Sequence, residues 1–295
     1  MKTYFILNPI SGKKQKGEKR REMLEMYLSK TKREASIWET EYAGHATKLT
    51  KKALDEGADR VVSVGGDGTI NEVAKAMVGS GVPFGLVPMG SGNGLARHLG
   101  IPLGFEKALD NIFEGEAQAI DSGEANGVAF FNVMGIGFDA EIGKRFNETH
   151  ARGFASYWKV GTDTIKTYEP SEYELEVNGE EHELEAYIIA VANSSQYGSN
   201  AYVAPDASVR DGKLNLVAIK KPSFTAIFTL LYRFFTRTLY KGKRVKAFCS
   251  DRFRLKLKEK SFFHADGEIY ECSGSLDIVV RPNSLRVIFG RGAEV

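Results

Sequence analysis

A glycine-rich pentapeptide, Gly65-Gly66-Asp67-Gly68-Thr69, lies directly between an apolar run, Arg60–Val64, and a helical pattern that opens at Ile70. A strand entering a helix through such a loop implies an open α/β sheet, in which ligands sit beyond the carboxyl ends of the strands. Three glycines let the backbone approach a phosphate closely, and a helix N-terminus adds amides and positive dipole charge. Thr69 is placed to cap the helix, and Asp67 to put a carboxylate where Mg²⁺ or a substrate hydroxyl would lie. An ordinary glycine-rich turn explains the glycines but not the embedded acid.

The flanking sequence supports that sheet. Strands are expected over 2–7, 36–39, 60–64 and 84–88, with helices over 17–30, 45–56, 70–78 and 105–114. After Ser122 the pattern changes to period two: Tyr173, Leu175 and Val177 alternate with Glu172, Glu174 and Glu176, and Asn178-Gly179 supplies a type I′ hairpin turn. Further strands are expected over 129–134, 187–193, 214–219, 252–258, 276–281 and 285–289. The fold class is therefore α/β plus all-β. An open parallel-sheet domain occupies 1–121, and a β-sandwich-like domain occupies 122–295, with the last strand a candidate to return to the first domain. Close apposition of the two, with a cleft between them, is expected.

Two further segments end strands at the same sheet edge: Asn8-Pro9-Ile10-Ser11-Gly12 and Gly90-Ser91-Gly92-Asn93-Gly94-Leu95-Ala96-Arg97. No G-x-x-x-x-G-K-[ST] occurs, so the chain has no P-loop. Gly135-Ile136-Gly137-Phe138-Asp139-Ala140 formally matches a dinucleotide fingerprint but lies in the strand-rich half, where it reads as a decoy. In this order, Asn8–Gly12, Gly65–Thr69 and Gly90–Arg97 resemble the catalytic domain shared by diacylglycerol, sphingosine and ceramide kinases and bacterial lipid kinases. NAD kinase and phosphofructokinase share the G-G-D-G core more remotely. Thr40-Glu41 with Gly44-His45-Ala46, the extension through Asn71-Glu72, Asn132–Ala140, Asp211-Gly212-Lys213-Leu214 and Asp266-Gly267-Glu268 also resemble the family's motifs. The resemblance spans nearly the whole chain.

The resemblance implies an NAD kinase/phosphofructokinase-like nucleotide domain and ATP- and Mg²⁺-dependent phosphorylation of a lipid hydroxyl. It implies nucleotide contacts from Asn8, Pro9, Ile10, Ser11, Gly12, Thr40, Gly65, Gly66, Asp67, Gly68, Thr69, Ile70, Asn71 and Ser91. Glu268 is then the proton acceptor and Asp67 lies at the metal and phosphate centre. A structural Mg²⁺ is implied at the Asp211 carboxylate and the Ser208 and Lys213 carbonyls. From the residues alone, Asp211-Gly212 and Asp266-Gly267 read as hairpin turns. The second loop departs from the G-T-A-N-D of many bacterial diacylglycerol kinases, because Gly94 replaces the acid; it looks more like sphingosine and ceramide kinases. The competing readings are an NAD kinase or other small-molecule kinase of the superfamily, and a non-catalytic nucleotide- or lipid-binding regulator.

Cys249 and Cys272 give no disulfide framework or Cys-type zinc site, which fits a reducing cytoplasm, and the scattered histidines have no metal-ligand spacing. No segment reads as an export signal or a membrane span. Net charge is +2, but 220–260 holds thirteen Lys or Arg against two acids, and 169–185 holds eight glutamates and no base. Phe224–Tyr240 reads as an apolar helix with Arg233, Arg237 and Lys241 on one face, either an interfacial helix or a core helix with a basic edge. The expected partners are a lipid substrate and, peripherally, the inner face of a membrane. No nucleic acid is expected, and a homodimer is left open.

Overall fold

The computed structural model describes residues 1–11, 17–148, 164 and 167–290. The chain forms two compact units, Met1–Ile120 with Asn283–Val295, and Asp121–Pro282.

In the first unit, β1 (Thr3–Leu7), β2 (Ser36–Glu39), β3 (Arg60–Gly65) and β4 (Phe84–Pro88) form a parallel sheet in the order β2-β1-β3-β4. The final strand, β16 (Ser275–Phe289), begins in the second unit and ends in the first, where Val287 pairs in parallel with Phe84. Alternate side chains of the sheet, Phe5, Leu7, Val62 and Val64, bury against Leu24 and Leu28 of α1 (Gly17–Lys30) and Ala108, Leu109 and Ile112 of α5 (Phe105–Glu114). The helices α2 (His45–Asp55) and α3 (Asp67–Met77) pack together and touch β1, β3 and β4. Every β-to-loop junction of this sheet therefore opens at one edge, and that edge carries the glycine loops.

The second unit is a sandwich of antiparallel strands. One layer follows the order β12 (Val245–Ser250), β11 (Leu214–Ile219), β10 (Ile188–Ala192), β7 (Val133–Gly137), β14 (Ser261–Ala265), β15 (Glu268–Cys272). The other contains the start of β16, β13 (Arg252–Leu257), β8 (Ser171–Val177) and β9 (Glu180–Ala186), with β5 (Glu116–Ala125) pairing β16 and β6 (Val128–Phe130). Tyr173, Leu175 and Val177 of β8 face Met134, Ile136, Ile189, Leu216 and Phe263 of the other layer in one core. Asn178 (φ 53°) and Gly179 (φ 80°) make the expected left-handed hairpin turn between β8 and β9.

Several expectations are corrected. The helix after the pentapeptide starts at Asp67, not Ile70; Gly66 is its N-cap and Thr69 lies inside the first turn. A five-residue helix, α4 (Gly94–His98), follows the second glycine loop. The expected strand over 129–134 is broken into β6 and β7, because the amides of Phe131, Asn132 and Val133 all donate to the Asp266 carboxylate at 2.7–3.0 Å. The two terminal strands are one, β16. Asp211-Gly212 is a bend leading into β11 rather than a hairpin, whereas Asp266 (φ 50°) and Gly267 (φ 90°) do join β14 to β15. The apolar helix, α7 (Phe224–Phe235), ends at Thr236, and Arg237 turns left-handed at φ 56°. Arg237 and Lys241 thus share no helical face with Arg233. Charge separation along the sequence also collapses in the fold: Lys256 bonds Glu174 and Glu181, Lys258 bonds Glu172, and Lys220 and Lys221 pair with Glu185 and Glu169.

Candidate active site

The first unit brings its three loops into direct contact. The side-chain amide of Asn8 donates to Thr69 Oγ1 at 2.9 Å, its carbonyl oxygen accepts from Ile10 N–H, and Ser11 Oγ accepts weakly from Gly66 N–H at 3.4 Å. Met89 N–H donates to the Gly65 carbonyl at 2.7 Å, linking the ends of β3 and β4. Between the two glycine loops the contact is backbone to backbone: a Cβ built on Gly90 would lie 2.9 Å from Gly66 Cα. Gly90 cannot carry a side chain without parting the loops, and a Cβ on Gly66 would sit tightly, 3.3 Å from Gly90 Cα.

Asp67 fastens this arrangement. Its Oδ2 accepts Asn93 N–H at 2.8 Å and its Oδ1 accepts Gly94 N–H at 2.9 Å. The carboxylate does not simply project toward a ligand; it holds the second loop, and each oxygen keeps a further lone pair for a cation or substrate. Asn93 adds a local clamp, accepting Gly90 N–H and donating to the Gly90 carbonyl, both at 2.9 Å. Glu72 was a motif residue without an assigned role. Its carboxylate accepts Gly44 N–H at 2.9 Å and Ala46 N–H at 3.1 Å, capping α2 and tying the Gly44-His45-Ala46 segment to α3.

The start of α3 lies beside these loops. The first i→i−4 bond of α3 runs from Ile70 N–H to the Gly66 carbonyl, so the amides of Asp67, Gly68 and Thr69 precede the intrahelical ladder. Gly68 is exposed, and a Cβ there would meet no atom within 4 Å, so space lies open over the helix N-terminus. Pro9, Ile10, Thr40 and Ser91 lie on or beside the loops with accessible surface, while Ile70 and Asn71 are buried inside α3. Thr40 N–H donates to the Leu7 carbonyl, continuing the β1–β2 edge. Gly12 lies outside the described residues.

The other expected residues belong to the second unit. Glu268 opens β15 directly after the Asp266-Gly267 turn, half-buried, and its Oε2 accepts the Tyr270 hydroxyl at 2.6 Å. Burial raises the pKa of Asp266, and the three amide donors and nearby His264 oppose that rise without cancelling it. Beside the turn is a cluster that sequence reading missed. Asp139 Oδ2, in the first turn of α6 (Phe138–Glu148), lies 2.8 Å from His264 Nε2 and accepts the Tyr197 hydroxyl at 2.7 Å. A Cβ on Gly135 would fall 2.5 Å from His264 Nε2 and 2.6 Å from Asp139 Oδ2. The apparent dinucleotide fingerprint is therefore the seat of a buried ion pair; the family-like stretch Asn132–Ala140 carried its glycine and its acid, while His264 and Tyr197 gave no signal.

Of the residues assigned to a second cation, Asp211 is exposed and its Oδ1 accepts Lys213 N–H at 3.0 Å, while Ser208 Oγ accepts Arg210 N–H at 3.2 Å. Buried Asp121 holds the bend through Gly212 N–H at 2.9 Å. Among the described residues no group of three His, Cys, Asp or Glu side chains is arranged around a metal position. One carboxylate with backbone carbonyls and water is nevertheless a donor set that Mg²⁺ accepts.

Residues 2–125 match the family model of the diacylglycerol kinase catalytic domain, and 132–289 match the YegS C-terminal NAD kinase beta sandwich-like domain. The chain belongs to this family of lipid kinases. It is 29% identical to a diacylglycerol kinase of Bacillus subtilis over 272 residues, covering 90% of this chain and 88% of that one. It is 31% identical to a probable lipid kinase, YegS-like, of Citrobacter koseri, covering 82% of each. The fold superposes on the crystal structure of a diacylglycerol kinase from Bacillus anthracis with a TM-score of 0.76, at 20% identity, over 99% of this chain and 98% of that one.

Proposed function

We propose that the protein transfers the γ-phosphoryl group of ATP to the hydroxyl of a lipid, diacylglycerol-like or sphingoid-like. The observation that carries this reading is the α3 N-terminus, where Asp67 locks the second glycine loop and exposed Gly68 puts no side chain over the first turn. The amides of that turn and the helix dipole suit the ATP phosphates. Bound Mg²⁺ would neutralise phosphate charge, with Asp67 as its one protein carboxylate in the first unit. On the acceptor side, Glu268 takes the proton of the lipid hydroxyl as its oxygen bonds to the γ-phosphorus. The bond from that phosphorus to the β–γ bridging oxygen breaks, and ADP leaves. A second Mg²⁺, at Asp211 with the Ser208 and Lys213 carbonyls, would be structural.

The test is incubation with γ-labelled ATP, Mg²⁺ and detergent-dispersed diacylglycerol, monoacylglycerol, sphingoid base or ceramide, with NAD as a water-soluble acceptor. Label in an organic-soluble product is expected. Label in NADP alone, or nucleotide binding without transfer to any acceptor, would overturn the proposal.

A further inference from the structure

The helix α7 has an apolar composition but sits at the surface of the second unit. Leu230 and Phe234, four residues apart, pack on a core that includes Val203, Val217 and Leu239. A different face carries Phe228, Tyr232 and Phe235, spaced by four and three residues and exposed by 68%, 66% and 52%. That spacing aligns them in one stripe. Thr225, Thr229 and Thr236 make the adjacent polar row. Scattered exposed hydrophobic residues need no explanation, but three large rings in register on one helix do.

The basic residues around the helix give the stripe a partner. Of the thirteen Lys and Arg between Lys220 and Lys260, six pair with acids: Lys220, Lys221, Arg254, Lys256, Lys258 and Lys260. For the other seven, no acid pairs within the described residues, and six of them are Arg233, within the stripe, and Arg237, Lys241, Lys243, Arg244 and Lys246, which follow it along the chain. Arg237 is held in place, stacked 4.2 Å over the Tyr202 ring and donating to its hydroxyl at 3.0 Å. The fold thus pairs the cations that lie along the glutamate-rich hairpin, whereas those from Arg233 to Lys246, in and after the helix, have no acid partner among the described residues.

We infer that this surface docks on an anionic lipid bilayer, with Phe228, Tyr232 and Phe235 in the headgroup–acyl boundary and the 233–246 cations over the headgroups. Aromatic rings on one helical face beside basic residues are what interfacial binding requires. A second copy of the chain would bring like charges together around the same stripe, which disfavours a self-interface. No described helix is long and apolar enough to cross a membrane, so the contact lies in the interface. The choice of a bilayer as partner rests on the lipid-kinase reading; the surface itself does not.

The experiment is co-sedimentation of the full chain with vesicles of phosphatidylcholine, alone or mixed with phosphatidylglycerol, at low and high salt. Wild type should bind the mixed vesicles and release at high salt. The triple variant Phe228→Ser, Tyr232→Ser, Phe235→Ser should bind about tenfold or more weakly, since each ring gives up apolar burial. Lys241→Glu, Lys243→Glu and Arg244→Glu should together weaken binding by about fivefold per charge removed, mostly at low salt. Thermal unfolding and transfer to a detergent-dispersed lipid should match wild type, which separates failure of docking from failure of the kinase reading. Undiminished vesicle binding by both variants would overturn the inference. So would a wild-type dimer that the serine variant abolishes while vesicle binding persists.

Discussion

His264 Nε2 lies 2.8 Å from Asp139 Oδ2, a buried contact made across 125 residues of sequence. Burial alone would lower the histidine pKa; the Asp139 carboxylate, and more distantly Asp266, reverse that and hold it above the ordinary 6.5. Gly267 N–H reaches Nδ1 at 3.4 Å, a weak contact that protonation gives up. Tyr197 donates to the same carboxylate oxygen.

This pair makes stability depend on pH. The folded state binds the His264 proton more tightly than the unfolded chain, so its contribution is full below the ordinary 6.5 and is lost as pH rises through the raised folded value. Urea unfolding from about pH 6 to about pH 9 should show wild type losing stability relative to His264→Gln across that window. Parallel profiles for the two proteins would remove the pair from the stability of the fold.

Gly135→Ala tests the same cluster sterically. The new methyl would overlap His264 and Asp139 at 2.5 and 2.6 Å. The expected loss is about 1–3 kcal/mol, as for other overpacked cores, read by denaturant unfolding. Unchanged stability would mean that the pair moves aside freely.

The parallel-sheet half was legible because its order is local: each strand, loop and helix announces itself within some tens of residues. What sequence could not show were side-chain destinations. Asp67 reads as a carboxylate for Mg²⁺ or a substrate hydroxyl because its amide partners, Asn93 and Gly94, belong to another loop. Asp266 reads as a turn residue because the three amides it accepts are more than 130 residues away. The break between β6 and β7 was invisible for the same reason. The overextended reading of α7 has a different cause: Thr236 and Arg237 carry no glycine or proline to announce a left-handed end.

Asp67→Asn is close to isosteric but should not leave the site intact. An amide retains one acceptor and turns an NH₂ group toward the other backbone N–H. One charge-assisted bond is lost and a donor faces a donor, costing about 1–3 kcal/mol. Lipid phosphorylation should fall by about 10²–10³-fold or more. Thermal unfolding together with transfer assays will separate the two effects; a variant with wild-type stability and activity would contradict the clamp.

Removal of Mg²⁺ examines the Asp211 bend. Titrating Mg²⁺ into the metal-free protein, with no nucleotide present, should raise the unfolding midpoint of wild type, because a ligand bound only to the folded state stabilises it. Asp211→Ala should abolish that rise. An equal rise in both proteins would place the ion elsewhere.

The central claim is a division of labour, with the nucleotide held by the glycine loops of the first unit and the lipid proton accepted by Glu268 of the second. Glu268→Gln keeps the side chain's shape but cannot accept that proton. The measurement is single-turnover transfer of labelled phosphate from ATP to a detergent-dispersed lipid acceptor by wild type and Glu268→Gln, with ATP affinity determined separately. The account predicts a rate lower by about 10²-fold or more and an unchanged affinity for ATP. A near wild-type rate in the folded variant would contradict it and move the role of base away from Glu268.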